Sequence, residues 1–370
     1  LKFKLKKSEH LEKFQLFNKI DKLKLSTREN KSINGDSLIF HAHDNKLFIY
    51  LSTGVSAAYT YLCDFDDDFI DFAIDCNIFT NAFTNFPTDE IQFAFVESDN
   101  QLVFGNKKTR VSLKTSKADS LENKISNEFF INDNIDFVKY DSTSFHNAIK
   151  FTSFSCAPDF EEHPYSSIMF FISENKFNAQ SSDKHRISVY GKKYENEQSF
   201  LLSKNQAELS LNFVDSNSKF SIHKNKLIIR NNGNYFCTNL EVNSYQSVHN
   251  GFKRFFDSKY ITTIDVSKSE FLKSLKFINN ISGSHLFNLS TKNKEIILTS
   301  SGDISGGAAD KITFDEELED LNVSYLTNHF MKILEVINQE NISAKFYDFN
   351  SYTICILQSD NFNHIMFPME

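Results

Sequence analysis

The residues best suited by type to chemistry are few and scattered. Asp183, His185 and Arg186 stand close together in SSDKHRISVY at 181–190 and have the make-up of an acid–base group. Alternation along a strand puts Asp183 and His185 on one face and Arg186 on the other. No Ser, Cys or second carboxylate motif accompanies them, so catalysis is not expected. Arg186 is equally suited to pair with Asp183. Asp64, Asp66, Asp67, Asp68 and Asp71 form an acidic run that looks at first like a Ca2+ loop. It lacks the glycine and the bidentate Glu of an EF-hand, and a solvated acidic loop is expected instead. GDISGGAAD at 302–310 is glycine-rich but has no Gly-Lys-Ser/Thr ending, and reads as a hairpin turn. Cys63, Cys76, Cys156, Cys237 and Cys355 form no C-x-x-C, and the Cys and His residues do not cluster at zinc spacing. Reduced thiols in a cytoplasmic protein without metal or cofactor are the expectation.

The elements that must position these residues follow from pattern. The chain has 370 residues, 40% hydrophobic and 24% charged, enough for two or three domains with real cores. Its formal net charge of −8 excludes a strongly basic nucleic-acid binder but not one with its cations on a single surface. Forty Phe and no Trp fit an AT-rich coding sequence, bacterial or phage. With four Pro and ten Gly, long flexible linkers are not expected. The opening LKFKLKKSEHL has no apolar core, and no stretch reaches about eighteen apolar residues, so neither a signal peptide nor a membrane span is expected.

One short pattern recurs, a polar turn with Asn followed by an alternating strand. DNKLFIYLST at 44–53, ENKFNAQSSD at 174–183 and KNKEIILTSS at 292–301 share it. Asn45, Asn175 and Asn293 are 130 and 118 residues apart, which implies three domains of about 120 residues. A second series lies between: 99–113, 224–240 and, more loosely, 348–367. Each has two alternating runs around a polar turn, the mark of a hairpin. Helical spacing fills the gaps. It is clear in Leu326, Phe330, Ile333, Leu334 and Ile337, in Phe271, Leu272, Leu275 and Ile278, and in Phe145, Ala148, Ile149, Thr152 and Cys156. Segments 8–20, 77–86 and 203–214 are weaker, and Ser142 and Ser267 are candidate N-caps. The fold class is therefore α+β, with two helices per domain packed on antiparallel sheets.

These residues, in this order, resemble the bacterial DNA polymerase III beta sliding clamp. LKFKLKKSEHL at 1–11 looks like the family's opening strand and helix, and TRVSLKT at 109–115 like the last strand of domain one. FHNAIKFTSFSCA at 145–157, SSDKHRISVY, LNVSYLTNHFMKIL at 321–334 and IMFPME at 365–370 match later segments. The resemblance implies three clamp domains, at 1–126, 127–254 and 255–370. It also implies a non-catalytic homodimeric ring that slides on duplex DNA and tethers polymerase and clamp-loader subunits through a peptide pocket.

By the same resemblance, helix lysines would face phosphates without reading sequence. The candidates are Lys19, Lys22, Lys24, Lys150, Lys204, Lys273, Lys276 and Lys332, with Lys107, Lys108 and Arg110 from a hairpin. Glu270 and Glu335 share these helices, so the local cationic excess is small. The implied pocket comprises Ser182, Lys184, His185, Arg186, Ile187 and Gln246, with Ile365, Met366, Phe367, Pro368 and Met369. Ile187 and Ile365 would serve equally as strand core. The implied dimer interface includes Val111 and Ile281, which also suit intrachain packing. The chain departs from the family at Lys184, usually Gly, and at Ser244-Tyr245-Gln246-Ser247-Val248, which replaces a Phe-Pro-Asp-Tyr motif. The rival reading is a clamp-fold paralogue or repeat-built binding module that does not encircle DNA.

Overall fold

A computed structural model describes residues 2–22, 37–65, 71–118, 121–131, 133–158, 165–191, 198–241, 253–302, 306–359 and 361–369. The first third contains β1 (Lys2–Lys6), α1 (Lys7–Lys22), β2 (Ser37–His43), β3 (Lys46–Ser52), β4 (Ser56–Asp64), β5 (Phe72–Asp75), α2 (Cys76–Thr84), β6 (Glu90–Val96), β7 (Gln101–Gly105), β8 (Arg110–Lys114) and β9 (Ser116–Lys117). After α3 (Leu121–Phe129) come α4 (Ser142–Thr152), β10 (Ser167–Ser173), β11 (Lys176–Ser182), β12 (Arg186–Tyr190), β13 (Gln198–Ser203), α5 (Lys204–Ser210), β14 (Lys219–His223), β15 (Lys226–Asn231) and β16 (Asn234–Asn239). After α6 (Lys253–Phe256) come β17 (Lys259–Ser267), α7 (Lys268–Ser282), β18 (Leu286–Lys292), β19 (Glu295–Gly302), β20 (Gly306–Thr313), β21 (Asn322–Leu326), α8 (Thr327–Val336), β22 (Asn341–Phe349), β23 (Tyr352–Ser359) and β24 (Phe362–Met366).

These elements gather into two compact units. The first joins Leu1–Ser142 with Asn205–Glu241, the second Thr143–Lys204 with Val242–Glu370. In the first unit a four-stranded sheet runs β1-β6-β7-β8 and an eight-stranded sheet β14-β15-β16-β4-β3-β2-β5-β9. In the second a four-stranded sheet runs β20-β19-β18-β21 and an eight-stranded sheet β13-β10-β11-β12-β24-β23-β22-β17. The strands of the middle third are thus shared out between two eight-stranded sheets. In the first unit β16 seams onto β4, Tyr235 opposite Tyr59 and Thr238 opposite Ser56. In the second, β12 seams onto β24, Arg186 opposite Met366 and Tyr190 opposite Phe362.

The recurring Asn turns have a conformational cause. Asn45, Asn100, Asn175, Asn225, Asn293 and Asn350 all have positive φ, between 50° and 62°. Tight hairpins need this left-handed conformation, and Asn adopts it more readily than other side chains with a Cβ. In a chain poor in glycine, Asn takes over the role, which is why the repeat is legible.

The six expected helices are α1, α2, α4, α5, α7 and α8. In the first unit α1 packs on α2 through Phe14, whose ring lies 4.8 Å from that of Phe79 and 4.7 Å from that of Phe83. In the second α7 packs on α8 through Phe271 and Phe330, 5.6 Å apart. Ser267 caps α7 by accepting from the Glu270 N–H, and Gly283 ends it at φ 60°. The helix α4 begins at Ser142 itself and gives way to a 3-10 turn, Ser153–Ser155, before Cys156. Two helices not marked by the spacing, α3 and α6, fall at the expected domain boundaries near 126 and 254. Leu121, Ile125 and Phe129 bury a single narrow stripe of α3.

Candidate functional site

Most of the described candidate pocket residues gather at the seam between β12 and β24. Antiparallel register places Ser182 opposite Ile187 and Ile187 opposite Ile365. Ile365 in turn faces Ile356 on β23. Cross-strand partners share a face, so these four side chains line one side of the sheet. Ile187, Ile354, Ile356, Ile365 and Phe255 form one buried apolar cluster, with Val189, Tyr347, Phe349 and Phe367 half-buried against it. Phe255, from α6, packs 4.7 Å from Phe349 and 5.1 Å from Phe367. The C-terminal tail is pinned alongside. Phe367 N–H donates to the His185 carbonyl at 3.2 Å, and Met369 N–H to the Ser324 carbonyl at 2.9 Å. Pro368 and Met369 are half-buried there. The result is a mostly buried aromatic and branched-aliphatic cluster, with Val189, Tyr347, Phe349 and Phe367 at its half-buried margin.

Arg186 and Met366 do not join this surface. They alternate to the opposite face, where Arg186 is 5% exposed. Its Nε donates to Asp183 Oδ2 at 2.8 Å, and its guanidinium lies over the Phe154 ring. Asp183 Oδ1 accepts the backbone N–H groups of His185 and Arg186, both at 3.1 Å. The Asp183 carboxylate is thereby committed to holding the β11–β12 turn together. Lys184, exposed at φ 76° in that turn, sits in the conformation that favours Gly. Its ammonium lies 4.9 Å from the centre of the Tyr165 ring.

Behind the seam lies a buried polar layer. Ser188 Oγ bonds His364 Nδ1 at 2.8 Å and Ser155 Oγ at 2.6 Å. Burial, reinforced by Arg186, pushes the His364 imidazole well below its usual range. Burial first, and then Arg186, lowers His329 to about 4. Both lowered values mean that the folded chain binds fewer protons than the unfolded chain between about pH 4 and 6.5. Stability is therefore complete above this window and is lost as pH falls through it. The expected slope for fully buried His364 approaches about 1.4 kcal/mol per pH unit, with a smaller part from His329. Urea midpoints at about pH 7 and about pH 5 measure it, and His329→Gln should flatten the dependence. An unchanged midpoint would contradict the assignment.

The remaining candidates are dispersed. Lys19 and Lys22 are exposed on α1, Lys150 on α4, Lys273 and Lys276 on α7, and Lys332 on α8, while Lys204 at the head of α5 is half-buried. Lys276 pairs with Glu335 at 3.1 Å, and Lys150 donates to the Asn338 side chain at 3.3 Å. Lys107 and Lys108 are exposed in the β7–β8 turn, and Arg110 opens β8. Val111 is half-buried on β8, and Ile281 is 43% exposed on α7 beside Phe277 at 48%. Lys24, Gln246 and the rest of 244–248 lie outside the described residues, as do Asp66, Asp67 and Asp68. Asp71 is not part of a solvated loop, since its carboxylate holds His41 Nδ1 at 2.9 Å. Around 302–310, the pairing of Gly302 with Gly306 joins β19 and β20 as a hairpin.

Spacing did not reveal Phe255, Ile354, Ile356 or Phe349 as neighbours of Ile187 and Ile365. The run YTICI at 352–356 reads as an ordinary strand, and only its register with β24 shows which face it offers.

Residues 253–370 match the family model of the DNA polymerase III beta subunit, C-terminal domain. No curated protein sequence matches the chain. Solved structures match over its full length. The DNA polymerase III beta chain from Streptococcus pneumoniae has a TM-score of 0.80 at 15% identity, covering 100% of this chain and 99% of that one. The beta subunit from Thermotoga maritima has 0.79 at 18%, with 100% and 99% covered. A Helicobacter pylori beta clamp bound to a DNA ligase peptide has 0.78 at 16%, with 100% of both chains covered. The chain has the fold of a bacterial DNA polymerase III beta clamp from end to end, and its residues 253–370 match the C-terminal domain of that family.

Proposed function

We propose that the chain is a processivity clamp, a non-catalytic cytoplasmic subunit whose two copies close head to tail around duplex DNA. The observation that carries this reading is a pair of unfinished seams. The chain is read as three repeats, 1–126, 127–254 and 255–370, each supplying two sheets. In each half-sheet of the first kind the last strand of a β-meander makes the seam, as β4 does with β16 and β12 with β24. The strands equivalent to these in the two four-stranded sheets are β8 and β20, and both stand at sheet edges. A β8–β20 pairing between subunits would complete a third eight-stranded sheet. It would also remove two edges that otherwise invite uncontrolled pairing. Val111 on β8, with Phe277 and Ile281 on the helix packed against β20, supplies the apolar contacts.

The groove around Ile187, Ile365 and Phe367 would hold a short linear peptide of a polymerase or clamp-loader subunit. The Helicobacter relative, solved with a ligase peptide, supports a peptide ligand. Lys19, Lys22, Lys150, Lys204, Lys273 and Lys332 on the helices, with Lys107, Lys108 and Arg110 from the β7–β8 hairpin, would meet phosphates weakly and without sequence preference. Sedimentation of the purified chain tests the central claim. A dimer at micromolar concentration is expected, and a purely monomeric species of 42.8 kDa would favour a binding module that does not encircle DNA.

A further inference from the structure

We propose that His41, His43 and Glu122, in the first unit, form a binding site for a divalent transition metal of the zinc class. One ligand-capable atom from each of the three lies within 4.8 Å of the others. His41 and His43 are two residues apart on β2, so they share a face, and their rings stack with centroids 6.0 Å apart. Glu122 comes from the first turn of α3, and its Oε1 lies 3.8 Å from His43 Nδ1. The sequence separation between β2 and α3 hides this group from any reading based on spacing.

A second observation points the same way. Each imidazole has a carboxylate near one of its ring nitrogens, hydrogen-bonded in the case of His41. Asp71 oxygens lie 3.0 and 2.9 Å from His41 Nδ1, and Asp44 Oδ2 lies 3.3 Å from His43 Nε2. A carboxylate at one ring nitrogen fixes the tautomer, orients the ring and makes the other nitrogen a better donor to a metal. His41 is only 4% exposed, so Asp71 holds it in a packed position with Nε2 as the remaining donor. His43 and Glu122 are exposed and free to adjust. Tetrahedral zinc, with bonds of about 2.0–2.1 Å, needs donor atoms about 3.4 Å apart. A small rotation of these two side chains would close the gap. The cluster opens into a cleft of about 750 Å3 walled by Tyr59, Tyr61 and Asp64, which leaves room for water as a fourth ligand.

Two imidazoles and one carboxylate suit zinc, nickel or copper better than magnesium or calcium, which take oxygen donors. A bound ion would tie α3, the connector after the first repeat, to β2.

Calorimetric titration of the metal-stripped full chain with zinc chloride tests the site. One equivalent is expected to bind per chain. His43→Ala and Glu122→Gln, both at exposed positions, should each weaken binding at least about tenfold. Cys63→Ser, which removes the half-exposed thiol, should leave binding unchanged. Cobalt substitution should show a tetrahedral spectrum without a thiolate band. Absence of saturable binding, unchanged affinity in both ligand variants, or loss of binding in Cys63→Ser would overturn the proposal. Dimerisation and peptide binding are separate readouts, so the clamp reading stands or falls independently.

Discussion

Replacing Phe277 and Ile281 together by Asp is expected to convert the proposed head-to-tail dimer to a monomer at micromolar concentration. The two side chains are 48% and 43% exposed within the chain, one helical turn apart on α7. They take no part in the buried stripe of that helix, which consists of Phe271, Ser274, Leu275, Ile278 and Ser282. The substitution should therefore leave the fold intact, with an unchanged circular dichroism spectrum. Two apolar anchors lost, and two carboxylates forced into a desolvated contact, should raise the dissociation constant by at least about 100-fold, or about 2.7 kcal/mol. Equilibrium sedimentation across a concentration series reads this directly. If the double variant stays dimeric with the affinity of the parent chain, the β8–β20 seam is not the subunit interface.

The second large effect is expected in the groove. A fluorescent peptide of the Gln-x-x-Leu-Phe type should bind the parent chain, and Phe367→Ala should weaken it by about 10- to 100-fold. Phe367 is half-buried and packs on Phe255 at the margin of the apolar cluster, so its truncation should remove ligand contact without emptying the core. Anisotropy titration measures the loss. Lys219→Ala, on the exposed start of β14, is the control and should bind as the parent does. Equal binding by Phe367→Ala would remove the groove from consideration. Asp183 and Arg186 tie the β11–β12 turn together, so a peptide bound beside it would require little ordering of that turn.

Much of the architecture was legible in the sequence because its signals are local. The left-handed Asn turns recur at six of the hairpin reversals, and the spacing of Phe271, Leu275 and Ile278 is fixed by the helix that buries them. The groove was legible only in part. Ile187 and Ile365 could be named from the segments that carry them, but Ile354 and Ile356 enter through strand register, which no local pattern encodes. Arg186 was placed with the groove, although alternation from Ile187 sends it to the opposite face. That alternation is visible in the sequence, and the buried ion pair with Asp183 is its consequence. The α3 helix was missed because its stripe of Leu121, Ile125 and Phe129 is one residue wide. The pairing of His41 and His43 with Glu122 depends on that same helix.

The two unmatched sheet edges have a consequence for assembly. Because β8 and β20 are different strands, a contact between them is heterologous and does not saturate itself. Each added subunit offers the same pair of edges again. Under the proposed pairing, growth stops at two only if two such contacts close on each other. If β8 and β20 pair between subunits as proposed, a chain whose internal seams were loosened, at β4–β16 or at β12–β24, would still carry both pairing edges. Its failure would be polymeric, an open helical filament that lengthens with concentration, and its first visible sign would be turbidity.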